Sequence, residues 1–209
     1  MEQNNLSDKD IFTKIWTSPK EVFKYINDTG YDKHLVLLLA LIGISLAFGL
    51  AEARNLGDTF SLWQILVICI IGGGLFLGWV SLHLYATFLN WTGKWLKGEG
   101  DTMSILRMLS YAMIPSTIGV IFWILQIIIF GNELFESGAN FANAGIFSGI
   151  FVLLLLLQLI LAIWSQILCI IGISEVQKFS IGKSILNLLL PLTPIFVYLI
   201  LILVFIFWL

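Results

Sequence analysis

Five apolar stretches separated by short polar links govern what this 209-residue chain can fold into. They cover residues 35–51, 60–90, 110–130, 146–173 and 185–209. Soluble domains carry charge on about a quarter of their residues; here 11% are charged and 59% are apolar. So much apolar surface finds its solvent in a bilayer, whose hydrocarbon core of ~30 Å takes about 20 helical residues. The first stretch is short for a span. The second, at ~1.5 Å per residue, would reach about 45 Å, so it must tilt, protrude or kink at Gly72-Gly73-Gly74. Pro191 and Pro194 interrupt the fifth, which predicts a short helix over 183–190 that Pro191 bends or ends.

The basic residues orient these spans. Lys9, Lys14, Lys20, Lys24 and Lys33 precede the first; Lys94, Lys97 and Arg107 lie in the second link; Lys178 and Lys183 lie in the fourth. With five spans, ten of the eleven Lys and Arg fall on one side, and Arg54 alone on the other. The positive-inside rule then predicts a cytoplasmic amino terminus and a carboxyl terminus outside. Merging or splitting a span would scatter the basic residues over both sides. The fold class expected is all-α: a polytopic membrane helical bundle with five transmembrane helices over 35–209, preceded by a cytoplasmic or interfacial arm over 1–34. Residues 1–34 are polar, so the first span is expected to do the targeting. Residues 131–145, without a basic residue, read as a flexible outward loop, and Trp208-Leu209 as an end at the outer interface.

The arm has a pattern of its own. Ile11, Phe12, Ile15 and Trp16, then Val22, Phe23 and Ile26, recur at spacings of three and four, which predicts two short amphipathic helices. Ser7-Asp8-Lys9-Asp10 can start the first. Ser18-Pro19-Lys20-Glu21 reads as a capping box with Pro19 as the first helical residue. Three uses stay open for the apolar faces: lying on the membrane with Phe12 and Trp16 among the headgroups, packing on the ends of the spans, or docking a partner. Six acids offset the arm's five lysines, so strong attraction to anionic lipid is not expected.

No reactive set emerges. The net charge of −2 gives no sign of nucleic-acid binding. Cys69 and Cys169 lie in apolar runs and read as small hydrophobes. No zinc-type histidine pair, phosphate loop or nucleophile elbow is present, so no catalytic, metal or cofactor site is expected. The polar residues inside spans are His83, Gln64, Gln126, Gln158, Gln166 and Asn187. Of these, His83, Gln126, Gln158 and Gln166 are the candidates for an intramembrane polar site; the alternative is that they bond neighbouring helices. Gln158 and Gln166, eight residues apart, are expected on roughly one face. Gly74 with Gly78, and Gly145 with Gly149, have the spacing of close helix contacts, within the chain or between two copies.

Three segments together resemble the Yip family of Ypt/Rab-interacting membrane proteins, in its short bacterial form. They are Ile15-Trp16, Pro19, Phe23 and Ile26 before the first span; Ser110-Tyr111-Ala112-Met113-Ile114-Pro115 entering the third; and Ile163-Trp164, Gly172 and Lys183 around the end of the fourth. Where eukaryotic members have Gly-Tyr before the proline, this chain has Ser110-Tyr111. The resemblance implies a five-helix membrane domain with its amino terminus inside, a bacterial cytoplasmic membrane, and a membrane-organising or trafficking-type adaptor rather than an enzyme. It makes Ile15, Trp16, Pro19, Phe23, Tyr111 and Pro115 candidate partner or interface residues, with Tyr111 suited to the membrane interface and Pro115 about one turn into the third span. The expected partners are membrane lipids and a membrane protein or a second copy. The alternative function is a small solute or lipid transporter using His83, Gln126, Gln158 and Gln166.

Overall fold

The structure is a computed structural model that describes residues 6–138 and 145–193. All the regular structure among them is helical. Two short helices open the chain, α1 (Asp8–Lys14) and α2 (Pro19–Thr29). Then come α3 (Leu35–Ala53), α4 (Leu62–Val67), a π-helical stretch Ile68–Leu77, and α5 (Gly78–Trp95). After these follow α6 (Thr102–Ala112), α7 (Ile114–Phe130), α8 (Ile146–Gln177) and α9 (Ile181–Leu189), with a short 3-10 turn over Leu190–Leu192.

Among the described residues, four segments are long and apolar enough to cross a membrane: Leu35–Ala53, Leu62–Trp95, Ile114–Phe135 and Ile146–Gln177. The fifth expected span lies largely outside the described residues; its beginning is α9, which stops two residues before Pro191. The 34-residue rod Leu62–Trp95 carries exposed Trp63 at one end and exposed Trp91 and Trp95 at the other. Trp63 and Trp91 are about 40 Å apart along such a rod, the distance between the two interfaces where tryptophan collects.

The tightest contact in the bundle is backbone on backbone, between α3 and the π-helical stretch. A Cβ on Gly43 would overlap Gly73 O, and one on Gly78 would overlap Leu39 O; on Gly73 it would stand 2.7 Å from Gly43 O. Gly73 and Gly78 are five residues apart, roughly 140° around an α-helix. The i→i+5 bonding of a π-helix widens the turn and brings both to the face that meets α3. The Gly72-Gly74 triplet therefore lies inside a continuous helical rod and makes no break in it. Of the expected Gly74–Gly78 pair, Gly78 touches the neighbouring backbone, whereas a Cβ on Gly74 would only brush the Ile44 side chain at 3.4 Å. Gly145 and Gly149 meet nothing within 4 Å.

Two apolar clusters fill the ends of the bundle. The larger joins α1 and α2 to α3, α5, α6 and the last turns of α8 through Ile11, Ile15, Phe23, Leu39, Tyr111 and Ile173. The smaller joins Phe48, Ile65, Cys69 and Trp123 to Leu134 and Phe135. This second cluster corrects the expectation of a flexible loop over 131–145 for its first part. Phe135 is fully buried beside Phe48, Asn132 Nδ2 donates to Gly57 O at 3.2 Å, and Ser137 N donates to Asp58 Oδ1 at 3.0 Å.

The third span also begins later than its hydropathy indicates. Residues 102–112 form the separate helix α6, capped by the Asp101 carboxylate, which accepts from Met103 N and Ser104 N. The chain breaks at Met113, and α7 starts at Ile114 with Pro115 in its opening turn, where a missing N–H costs nothing.

If the α3 crossing holds the bundle, Gly78→Ala should cost about 1–3 kcal/mol or more, because the neighbour it strikes is main chain. Gly72→Ala, which meets nothing within 4 Å, should leave the melting temperature unchanged or raised. Thermal unfolding of both variants in the same detergent makes the comparison.

Candidate functional site

The arm is a folded plate across one end of the bundle. Ser7 starts α1 with a reciprocal box: its hydroxyl accepts from Asp10 N at 3.2 Å, and Asp10 Oδ2 accepts from Ser7 N at 3.0 Å. The box expected at Ser18 does not form. Ser18 is not in an extended conformation and caps with no side-chain bond, and Glu21 instead takes Lys14 Nζ at 2.9 Å. Gly30, at φ +66°, ends α2 in the left-handed conformation that a side chain resists.

Asp8 ties this plate to the start of α3. Its carboxylate accepts from Tyr31 Oη at 2.8 Å, pairs with Lys33 Nζ and lies 3.4 Å from His34 Nε2. The Lys33 ammonium, then the Tyr31 hydroxyl, hold its pKa down at about 2. Beneath it Tyr31 tilts against Tyr111, their ring centres 5.8 Å apart, and Tyr111 Oη accepts from His34 N at 3.4 Å. Burial pushes the Tyr111 hydroxyl up to about 12, so it stays protonated.

The candidate interface residues are therefore mostly interior. Ile15, Phe23 and Tyr111 are fully buried and Pro115 is buried; Trp16 and Pro19 are half-buried. Tyr111 does not reach the surface of the bundle, because α6 is covered by α2, α3, α5 and α8. Charged side chains left exposed on this end include Lys9, Lys20, Lys24 and Asp28 of the arm, with Lys97, Glu99 and Lys178 of the neighbouring links.

Gln177, overlooked in the sequence, clasps those links together. Its Oε1 accepts from Gly100 N at 3.0 Å and its main-chain oxygen accepts from Glu99 N at 3.3 Å. Gly93, Gly98 and Gly100 surround the amide so closely that a Cβ on any of them would collide with Gln177 or its neighbour Val176. Beside it, Asn187 Nδ2 donates to Leu89 O at 3.1 Å and to Thr92 Oγ1 at 2.8 Å. α9 thus buries its polar Ser184 and Asn187 and exposes Ile181, Ile185, Leu186 and Leu189, as a helix against lipid would. The signal in the sequence was three glycines within eight residues after an apolar run.

The four polar candidates within the spans do not converge. Gln126, fully buried on α7, and Gln158 on α8 meet through Gln158 Nε2 and Gln126 Oε1 at 3.4 Å. His83 bonds its own helix, Nδ1 to Trp79 O at 2.8 Å, and stacks on the Trp79 ring. Gln166 is exposed. Eight residues are two turns plus roughly 80°, enough to carry Gln166 off the face of Gln158. A closer tie between α7 and α8 is the Ser165 hydroxyl, which accepts from Ser116 N at 3.1 Å and so serves a free donor of the first turn of α7.

The Yip1 domain family model matches residues 13–205. No curated protein and no solved structure matches the chain. The match begins within α1 and takes in all of α2.

The depressed Asp8 pKa sets a pH dependence. Stability from the Asp8 contacts is fully present above the ordinary carboxylate value of 3.8 and is lost as pH falls from there through about 2. Hydrogen exchange of α1 amides should rise over that interval, and Asp8→Asn should raise it at neutral pH and flatten the dependence. Gln177→Leu, which strands Gly100 N, should cost about 1–3 kcal/mol in thermal unfolding.

Proposed function

The chain belongs to the Yip1 domain family, and on that premise we propose that this integral membrane protein works without chemistry of its own, as a membrane-organising or trafficking-type adaptor. Its docking face is the outer surface of α1 and α2 together with the links over 96–101 and 178–180. The observation that carries this reading is the burial of Ile11, Ile15, Val22, Phe23 and Ile26. That packing holds the arm as a plate, and it presents Lys9, Lys20, Lys24 and Asp28 beside Lys97, Glu99 and Lys178 in one fixed arrangement. A rigid patch of mixed charge loses little entropy on binding and reads its partner by charge complementarity.

The proposal includes five spans, with the docking face in the cytoplasm of a bacterium and the carboxyl terminus outside, because the basic residues gather on that face. Its partners are a membrane protein or a second copy, and the surrounding lipid. The rival reading, a small solute or lipid transporter, needs a polar track. His83 and Gln166 stand apart from the Gln126–Gln158 pair, which leaves that track without continuity.

Orientation is checked with single cysteines. Thr17→Cys should react with an impermeant maleimide only in inside-out vesicles, and Ser137→Cys only in intact cells; Cys69 and Cys169 are buried and stay silent. The adaptor role is checked by placing a photo-crosslinking residue at Lys20, Lys24 or Lys97 in native membranes. A discrete protein adduct from these positions, and none from position 58 at the other end, is expected. Equal labelling from both ends, or none from either, would remove the basis for an adaptor.

A further inference from the structure

The apolar surface of the bundle is taller on one side than on the other. At the end away from the arm the two sides start together, because Ile65 of the rod and Phe151 of α8 pack in the same apolar cluster. The exposed apolar face of the rod runs on from there past Leu84 and Phe88 to Trp91 and Trp95, more than ~40 Å along a helix axis. On α8 the last exposed apolar side chain is Ile167, only ~24 Å from Phe151. There the tip of the arm covers the helix, and Trp16 lines an apolar hollow with Ile160, Ile163 and Trp164. Gln177, which meets Gly93 and the Leu89 carbonyl near the end of the rod, lies ~20 Å further along α8 than Trp164.

The extra height of the rod is one organised surface. Leu84, Phe88, Trp91 and Trp95 follow at helical spacing and form a single stripe, which Ile185 and Leu189 of α9 widen where α9 lies against α5. Trp91 and Trp95 meet edge to face at its end, their ring centres 4.6 Å apart. Lys94 and Lys183 border that end. Both are exposed, and neither has an acidic partner among the described residues. Apolar side chains, then tryptophan, then unpaired lysine follow the order of a phospholipid leaflet: hydrocarbon, carbonyl layer, anionic phosphate.

We infer that this stripe is seated in the leaflet on the arm's side of the membrane, with Lys94 and Lys183 at lipid phosphates, and that the leaflet surface slopes down from the rod to the arm. A flat surface fails at either height. Drawn at Trp164, it leaves Phe88, Trp91 and Trp95 in water. Drawn at Lys94, it carries the tip of the arm into hydrocarbon: the non-helical turn through Thr17 and Ser18, with the Lys14–Glu21 ion pair beside it. Lipid does not admit exposed irregular backbone or charge at that depth. One headgroup layer takes up about 5–8 Å of the ~20 Å offset; the rest is a drop in the surface of more than ~10 Å. Tilting the rigid bundle cannot remove it, because the other ends of the rod and α8 already stand together. The bilayer is therefore thinned beside the arm, where ~24 Å of apolar helix replaces the usual ~30 Å. A second copy docked about a two-fold axis would bring Lys94 and Lys183 against their own equivalents, and residues 194–209 hold no charged side chain to pair with them.

The test is a depth comparison on the full-length protein in vesicles of phosphatidylcholine with a quarter phosphatidylglycerol. Phe88→Cys and Thr17→Cys each carry a nitroxide, with Cys69 and Cys169 buried, and collisions with oxygen and with a water-soluble nickel chelate are read by power saturation. Phe88 stands further from the mid-plane of the bundle than Thr17, so a flat membrane makes Thr17 the deeper label. The slope reverses that order: oxygen should dominate at 88 and the nickel chelate at 17. Leu84→Cys gives the same reading if the Phe88 variant fails to fold. Lys94→Glu should raise nickel collisions at 88 at least threefold and leave 17 unchanged. A label at 17 deeper than that at 88, or no response to Lys94→Glu, would overturn the inference. So would a label at 88 shielded from both reagents, which would mean that protein covers the stripe, either a second copy or residues 194–209.

Discussion

Removal of side chains where α3 meets the rod Leu62–Trp95 is the constraint on which the rest of the bundle depends. Lipid offers no hydrophobic force to press two helices together, so close approach has to come from van der Waals contact and main-chain proximity. Gly43, Gly73 and Gly78 supply it, and the π-helical stretch supplies the phase that puts the last two on one face. With α3 fixed there, its remaining surface is free for α7 through Phe48 and Trp123, whose ring centres are 5.9 Å apart, and for α6 through Tyr111.

The consequence at the charged end is that a tail became part of the core. Ile11, Ile15, Val22, Phe23 and Ile26 of the arm bury fully, with α2 packed on α6 and α8, and the polar groups beside that packing are given specific partners. Asp8 gathers Tyr31, Lys33 and His34, and Gln177 gathers Gly100 and Glu99. A group of charges held this way is a surface of defined shape. Removing the arm would uncover Phe23, Ile26 and the α6 residues beneath them, so an arm deletion disturbs the membrane domain as well as the proposed docking face.

Much of this was legible because bilayer physics acts on long windows of sequence. The first four apolar stretches, the two amphipathic arm helices and the end of a helix just before Pro191 appear near their expected places. Particular residues were less legible. Tyr111 looked interfacial because tyrosine favours interfaces, yet a run of apolar residues cannot reveal that the chain turns at Met113 and lays α6 under α2. Gln158 and Gln166 looked paired because eight residues are close to two turns; the remaining 80° separates a bonded amide from an exposed one. The Ser18 box failed because Lys14 competes for Glu21, a contact between two helices that no local pattern encodes.

By itself the sequence determined that this is a helical membrane protein and that its basic residues gather at one end, because hydropathy and charge are additive along a chain. It also determined the family resemblance that the Yip1 domain match bears out. Tertiary structure alone decided which glycines touch a neighbour and which do not, which aromatic residues are core, and that Gln177 holds two links together. Those outcomes depend on helix phase and on neighbours far away in the chain, and a shift of one residue in either would exchange a buried side chain for an exposed one.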